Sequence, residues 1–337
     1  MKPFRKWLMC SAMALGTAAA AVPAAAQEVW KLGTAAMPGS VLYDIVMKFI
    51  NDFNASAGGE LKIEYQHVGN EQEMHQQLVR GRLQVGASSF AGGAIIVPEG
   101  TVFNTPYLWK NDAERAWVTD NHGLPVIKKL YADKGMELIL VADVGWNDMV
   151  CKTACLTPES LKGQKMRVSP SPASRIVFKQ LGSNGVQMPL SEFWPGLQSG
   201  LVVGGDLPFL FYVTTPAAQS APHYVVTRHY HHPSTFIVNK ALFDGMKPAL
   251  RDKLLKAVPD ANWARKQVAD TEGPKMKEFV AKGGFVHQLT DAQREAWAVV
   301  IRPGQAEMIQ AIGGNAQQVY DALMQGKKVW AEKHEKK

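Results

Sequence analysis

Apolar positions along the chain fall into short runs that alternate with stretches of helical periodicity. A strand is predicted over 29–34, and Leu42, Ile45, Val46, Phe49, Ile50 and Phe53 then recur at i, i+3, i+4, i+7, i+8 and i+11, the stripe of an amphipathic helix. Ala57-Gly58-Gly59 stops that helix, after which Leu61, Ile63 and Tyr65 alternate as a strand. A second helix around 71–80 and a strand at 83–87 complete a β-α-β-α-β unit, with Ser88-Ser89-Phe90 just past its last strand. A continuous apolar strand at 136–144 leads to Gly145-Trp146-Asn147-Asp148, where the chain is expected to cross into a second unit. Phe236-Ile237-Val238-Asn239 reads as the strand that returns. The remainder is helical: Leu250, Leu254 and Val258 share a face, and Thr290-Asp291-Ala292-Gln293 opens a helix with a capping box.

The second unit occupies 161–211. Lys165-Met166-Arg167-Val168 is its first strand, and Ser169-Pro170-Ser171-Pro172 opens a helix carrying Ala173, Val177 and Leu181 until Gly182 stops it. Val186-Gln187-Met188 is the second strand. Ser191 suits an N-cap for a helix through Leu197 and Gln198, with Pro195 near the first turn, and Gly200 leads into a third strand, Leu201-Val202-Val203. Strands this short and apolar belong to a buried parallel sheet. Arg167 then lies near the carboxyl end of a parallel strand, beside a helix start. That edge is where open α/β sheets bind ligands, and a guanidinium offers a planar fork matched to a carboxylate. A structural ion pair with Glu192 is the equal contender at this point.

The order of these residues resembles the substrate-binding proteins of tripartite ATP-independent periplasmic (TRAP) transporters. The resemblance rests on Ser160-Leu161-Lys162-Gly163, Lys165-Met166-Arg167-Val168, Leu181-Gly182, Met188, Ser191-Glu192, Leu197-Gln198, Gly200, Gly204 and Pro208, which match in register without gaps. Earlier in the chain it is carried by Gly58-Gly59, Leu61, Ile63, Gly69, Gln72-Glu73, Val79, Gly81, Leu83, Pro98-Glu99 and Thr105-Pro106-Tyr107-Leu108-Trp109. It runs from about Val29 to the C-terminus and is weakest after His229.

The resemblance implies an α/β, two-domain periplasmic binding protein of type II-like architecture, with a ligand cleft between the domains and hinge crossings. The division it implies is 27–144 plus about 233–270 for domain I, and 145–232 plus about 271–337 for domain II. Alignment with the family's pocket loops nominates Trp146, Phe90, Leu190 and Phe209, beside Arg167. Some members that bind larger sugar acids carry a second arginine where Asn147 stands, a glutamate at the Ser89 position, a polar amide at Leu207 and an aromatic at Leu190. The expected site is therefore Arg167, Asn147, Trp146, Ser89, Phe90, Leu190, Asp206, Leu207 and Phe209. Because each buried polar group of a ligand left unpaired costs about 1 to 3 kcal/mol, these replacements point to an apolar or aromatic monocarboxylate. Asp206 follows Val203-Gly204, which stand at the family's VDG, and its counterpart in some members helps hold a cation that bridges to the ligand. Here a lone carboxylate with apolar neighbours makes a poor hard-cation cage, so no metal or cofactor is expected; pairing with Arg167 in an empty site is its other role. The implied partners are the organic acid and the transporter's membrane permease subunits.

Composition is that of a soluble globular protein, 46% hydrophobic and 20% charged over 337 residues. Residues 1–26 differ: Lys2, Arg5 and Lys6 precede an apolar run that closes on Ala24-Ala25-Ala26, a secretory signal peptide whose removal would leave Gln27 first and place the protein in the periplasm. Cys10 sits too early in that run for a lipoprotein. No other segment reaches the roughly 18 apolar residues of a membrane span. Losing three cations lowers the formal net charge from +7 to +4, too weak and dispersed to argue nucleic acid. The lysine-rich tail at 327–337 reads as a solvated helix end.

Motifs for nucleotide binding, zinc proteolysis, calcium binding and serine hydrolysis do not occur, which argues against catalysis. His223, His229, His231 and His232 cluster without the spacing of a metal site, and a surface or interdomain loop is expected for them. An exported enzyme using Asp206 and a loop histidine as acid and base, and a metal-dependent carboxylate binder, remain the alternatives to a receptor. Cys151 and Cys155 are the only cysteines after residue 26, and in an oxidising compartment they are expected to pair. Thiol labelling of the exported protein, unfolded without reductant, is expected to find no free thiol; two labels per chain would refute the pairing.

Overall fold

The computed structural model describes residues 27–334, so the predicted export segment lies outside the described residues. Strand β1 (Glu28–Thr34) pairs in parallel with β2 (Leu61–His67) and β3 (Val85–Ser89). The helix Val41–Ser56 between β1 and β2 buries the whole predicted stripe, and Ser40 caps it by accepting a hydrogen bond from the Tyr43 N–H. Burial of such side chains, at about 1.5 to 3 kcal/mol each, is what holds this amphipathic helix on the sheet. In the second unit β5 (Lys165–Val168) pairs in parallel with β6 (Asn184–Gln187) and β7 (Gly204–Pro208).

Two long antiparallel strands connect the units. They are β4 (Met136–Cys151), of 16 residues, and β8 (His223–Asn239), of 17. At about 3.3 Å per residue each spans roughly 50 Å, enough to run through both units. The result is one continuous nine-stranded sheet in the order β2-β1-β3-β8-β4-β7-β5-β6, with β9 (Phe285–Gln288) added to β8. The predicted crossing and return are thus two strands of one ribbon. Its register slips between Asp143 and Gly145 and again between Asn147 and Met149. Gly145 sits there at φ +116°, a conformation that L side chains rarely adopt. Such bulges bend a strand and re-aim its side chains, and here they lie between the two units.

The structure departs from the predicted elements in several places: strand β9 interrupts the remainder predicted as helical, β3 and β6 are shifted by about two residues, and four further differences concern the second unit, the ribbon and the terminal helix. The third strand of the second unit begins at Gly204, not Leu201: Leu201 is half exposed, while Val202 turns into the core. Gly204 starts the pairing because only a residue without a side chain fits there; a Cβ would lie 2.4 Å from the Val150 carbonyl oxygen. The helix predicted from Ser191 runs Leu190–Ser199 with Pro189 as its N-cap, which places Pro195 inside it rather than in its first turn. The four histidines occupy β8 and not a loop. Finally, the helix Ala316–His334, expected on the second unit, packs against the first, with Val319 and Leu323 in one cluster with Phe103, Val118 and Ile127. The helix Ala261–Ala281 packs on the helix Val41–Ser56, on β4 and on the Phe209–Tyr212 turn of helix. Residues 151 and 155 form the expected disulfide.

The close approach at Gly204 generates a test. Gly204→Ala is expected to destabilise the protein by about 1 to 3 kcal/mol, the usual range for overpacking, measured by urea unfolding. Unchanged stability would mean that β4 and β7 are not pinned at this point.

Candidate ligand-binding site

The carboxyl ends of the parallel strands converge on one cleft between the two units. From the first unit come Ala35 and Ala36 after β1, Glu71 and Gln72 at the start of the helix Glu71–Val79 after β2, and Ser89 at the end of β3. From the second come Arg167 on β5, Ser169 and Pro170 after it, Leu190 after β6, and Asp206, Leu207 and Pro208 on β7. The ribbon contributes Val144, Asn147 and His232. Loops at this edge are where the strand-to-helix turns expose backbone and side chains together, hence the general ligand edge of such sheets.

Arg167 is 4% exposed, and among the described residues no carboxylate lies within ion-pair distance of it. Its Nε donates to the Met188 carbonyl at 3.3 Å, and the guanidinium carbon lies 5.4 Å from the centre of the Phe193 ring. Glu192, the sequence-level contender for its partner, is exposed on the helix surface. Burial lowers the Arg167 pKa, opposed by the charges of Asp206 and Glu71 and by Tyr230. A buried cation with unfilled donors on a cleft wall is chemically suited to an anion.

Asp206 does not pair with Arg167. It accepts from Asn147 Nδ2 at 3.0 Å, from Ser174 Oγ at 3.2 Å and from the Tyr230 hydroxyl, with His229 Nε2 at 3.4 Å. Burial would raise its pKa, but the contact with His229, the charge of Arg167 and the Tyr230 hydrogen bond outweigh it and bring it down to about 2. His229 is wholly buried between Thr227 and Asp206 and does not reach the cleft. The Asp206–His229 contact is therefore structural and presents no acid-base pair to a substrate; the histidine that lines the cleft with Asp206 is His232. Among the described residues no group of three or more histidine, cysteine or carboxylate side chains could hold a metal ion, and no helix is long and apolar enough to cross a membrane.

Of the nine expected site residues, Arg167, Asn147, Ser89, Leu190, Asp206 and Leu207 line the cleft. The other three do not. Trp146 neighbours Asn147 on β4, so the pleat turns it to the opposite face, where its Nε1 donates to Asp112 at 3.1 Å. Phe90 stacks on Phe103 at 5.0 Å in the first unit's core, and Phe209 lies 4.9 Å from Tyr224 in a ring cluster with Tyr212 and Phe279. Large apolar side chains at strand ends went to packing, as most do. Phe211 lines the cleft instead. Glu71, Gln72, Ser169, Val144 and His232 were missed; Glu71 and Ser169 follow predicted strands, and the edge rule applied to every strand would have found them.

A family model described as bacterial extracellular solute-binding protein, family 7, matches residues 32–311. The chain belongs to this family. Members are the solute-binding receptors of TRAP transporters, which bind small organic acids and work with membrane permease components; they are not enzymes. The chain is 27% identical over 263 residues to the 2,3-diketo-L-gulonate-binding periplasmic protein YiaO of Escherichia coli (strain K12), covering 75% of this chain and 79% of that protein. It is 30% identical over 247 residues to the C4-dicarboxylate-binding periplasmic protein DctP of Rhodobacter capsulatus, covering 72% and 74%. Among solved structures, a TRAP periplasmic solute-binding protein from Desulfovibrio salexigens with bound orotic acid superposes with a TM-score of 0.83 at 16% identity, covering 89% of this chain and 98% of that one. The family's two-domain architecture with a ligand cleft is the fold described above.

The Asp206 network predicts an acid-labile contribution to stability. The carboxyl is held near 2 when folded, against its ordinary 3.8, so its contribution is complete above pH 4 and is lost as pH falls toward 2. The difference amounts to about 2 kcal/mol. Wild-type protein is expected to lose about that much more stability than Asp206→Asn between pH 5 and pH 2, in parallel denaturant titrations; equal losses would show that the network is not built around the ionised form.

Proposed function

We propose that this receptor captures a small organic acid bearing one carboxylate, which Arg167 holds, and hands it to the permease subunits of a TRAP transporter. The observation that carries the reading is the buried Arg167 guanidinium facing the cleft without a carboxylate partner. Export by the segment 1–26 and a periplasmic location agree with relatives that are periplasmic binding proteins. Ser89, Asn147, Leu190 and Leu207 complete the proposed contacts, the last two with Leu42, Val144 and Phe211 as an apolar wall. Closure of the units about the bulged stretch of β4 and β8 would enclose the ligand, so that binding favours the closed state.

The apolar or aromatic monocarboxylate expected from sequence is not supported by the curated relatives, whose named ligands include a diketo sugar acid and C4-dicarboxylates. Glu71, Gln72 and Ser169, which also line the cleft, favour a ligand with polar groups. Removing one partner of a buried ion pair costs about 3 to 5 kcal/mol, or roughly two to three and a half decades in Kd. Arg167→Ala is therefore expected to weaken binding of organic acids at least about 100-fold, with Arg167→Lys recovering only part because a lysine cannot make the bidentate fork. Titration calorimetry with monocarboxylates, sugar acids and C4 dicarboxylates measures this; unaltered binding by Arg167→Ala would overturn the assignment.

A further inference from the structure

The charges that line the cleft do not suit an anion as they stand. Arg167 is the one described lining residue that is a cation at every pH, and two carboxylates share the lining with it, Glu71 from the first unit and Asp206 from the second. Glu71 accepts from the Ser89 N–H at 2.9 Å and the Ser89 hydroxyl at 2.5 Å, so both of its oxygens are engaged by neutral donors. One cation against two carboxylates leaves a negative charge in excess before any solute arrives. A bound carboxylate adds another, in a cleft where salt screens charges far less than at an open surface.

His232 is the other described lining residue that can become a cation. It stands on β8 opposite Gly145 of β4, at the bulge between the two units. Its ring is uncommitted: Nδ1 is buried without a hydrogen-bond partner, and no described residue bonds Nε2. The other histidines of this strand are all tied, His223 to His287 at 3.0 Å, His229 between Thr227 and Asp206, and His231 to Asp143 at 3.5 Å. Burial lowers the His232 pKa from its ordinary 6.5; Glu71 on its helix and Asp206 on β7 oppose the shift, and Arg167 on β5 adds to it. Next to these groups stand His75, whose Nδ1 bonds the Glu71 backbone carbonyl at 2.7 Å, and Tyr230, whose hydroxyl bonds Asp206. The empty cleft thus holds His232 neutral. A carboxylate seated on Arg167 cancels the one charge that opposed protonation and leaves Glu71 and Asp206 to favour the imidazolium, as nearby opposite charges do.

We propose, resting on the carboxylate reading above, that His232 takes up a proton from solvent on its unprotonated ring nitrogen when an acid anion binds, so that the receptor captures anion and proton together. Binding then raises the pKa of the ring, which fixes the sign. Affinity is highest at pH values where the ring is already charged in the empty cleft and lowest where it stays neutral in the complex. Between those limits Kd rises with pH by up to about tenfold per pH unit, the slope of one linked proton.

The test is calorimetry of the purified protein with glucuronate, galactonate, lactate, pyruvate and orotate, whose carboxyls are all ionised between pH 5.5 and pH 8, in paired buffers of different ionisation enthalpy. For the tightest binder the heat is expected to differ between buffers in the sense of proton uptake, and Kd to rise at least about fivefold from pH 5.5 to pH 8. His232→Gln, neutral throughout, is expected to remove both effects. Should that variant bind too weakly to measure, nitrogen NMR of ring-labelled histidine in the wild-type protein, with the His232 signal identified by its loss in His232→Gln, is expected to show a higher pKa with the acid bound than without. Heats that do not depend on buffer in wild type, uptake that survives in His232→Gln, or one His232 pKa in both states refutes the proton coupling, while binding lost in Arg167→Ala keeps the carboxylate receptor. Binding that survives Arg167→Ala, or no binding of any of the five acids, refutes the carboxylate reading and this inference with it.

Discussion

A guanidinium buried to 4% exposure without an ion-pair partner is the constraint around which this molecule is arranged. Leaving a charge in low dielectric is expensive, and proteins tolerate it where a ligand completes the pair. The surroundings of Arg167 lower that cost without cancelling it. The Met188 carbonyl takes one N–H, and the Phe193 ring offers its negative face at 5.4 Å. Gly205 allows both side chains to sit close to β7, since a Cβ there would come within 2.8 Å of Phe193 Cζ and 3.2 Å of Arg167 Cβ. Asp206, though near enough to act on Arg167 through charge, is turned to other partners and keeps the fork open.

That diversion of Asp206 joins the second unit to the ribbon. Ser174 reaches it from the helix Pro172–Gln180, Asn147 from β4, and His229 and Tyr230 from β8, so one carboxylate fixes side chains from three elements. Asn147, which lines the cleft, is oriented by this network. The first unit achieves a comparable result with a smaller set, in which Ser89 and Gly92 position Glu71. Each wall of the cleft is therefore rigid within its own unit, and the bulges at Asp143 to Met149 on β4 lie where the two walls meet. Fixed groups on two bodies joined by a bent ribbon are what a closing receptor requires, because little side-chain ordering remains to be done at the moment of binding.

On the far side of that ribbon Arg115 grips Asp143 through two hydrogen bonds of 3.1 and 2.6 Å, with His231 at 3.5 Å and Trp146 edge-on to His231. Burial lowers the His231 pKa to about 4, with the charge of Arg115 adding to the effect and Asp143 opposing it. The pleat thus sorts neighbouring residues by face: Asn147 and His232 go to the cleft, Trp146 and His231 to this buried ionic cluster. The two faces of one ribbon serve ligand contact and structural support.

Periodicity alone determined the layered α/β class, the helix stripe from Leu42 to Phe53, the two repeated units and the strand that crosses between them, because burial of apolar faces is written at fixed intervals along the chain. The position of Arg167 at a ligand edge followed from the same local rule. Which of two adjacent residues faces the cleft did not, since Trp146 and Asn147 differ only by the pleat, and bulges reset its phase. Nor could local pattern show that Phe90 and Phe209 would be drawn into ring clusters, or that the helix Ala316–His334 would return to the first unit. Those outcomes depend on contacts between segments far apart in sequence. Arg167 and Asp206 were both visible from the chain, yet only the packed structure decided that they stand unpaired, because partners from three other elements reach Asp206 first.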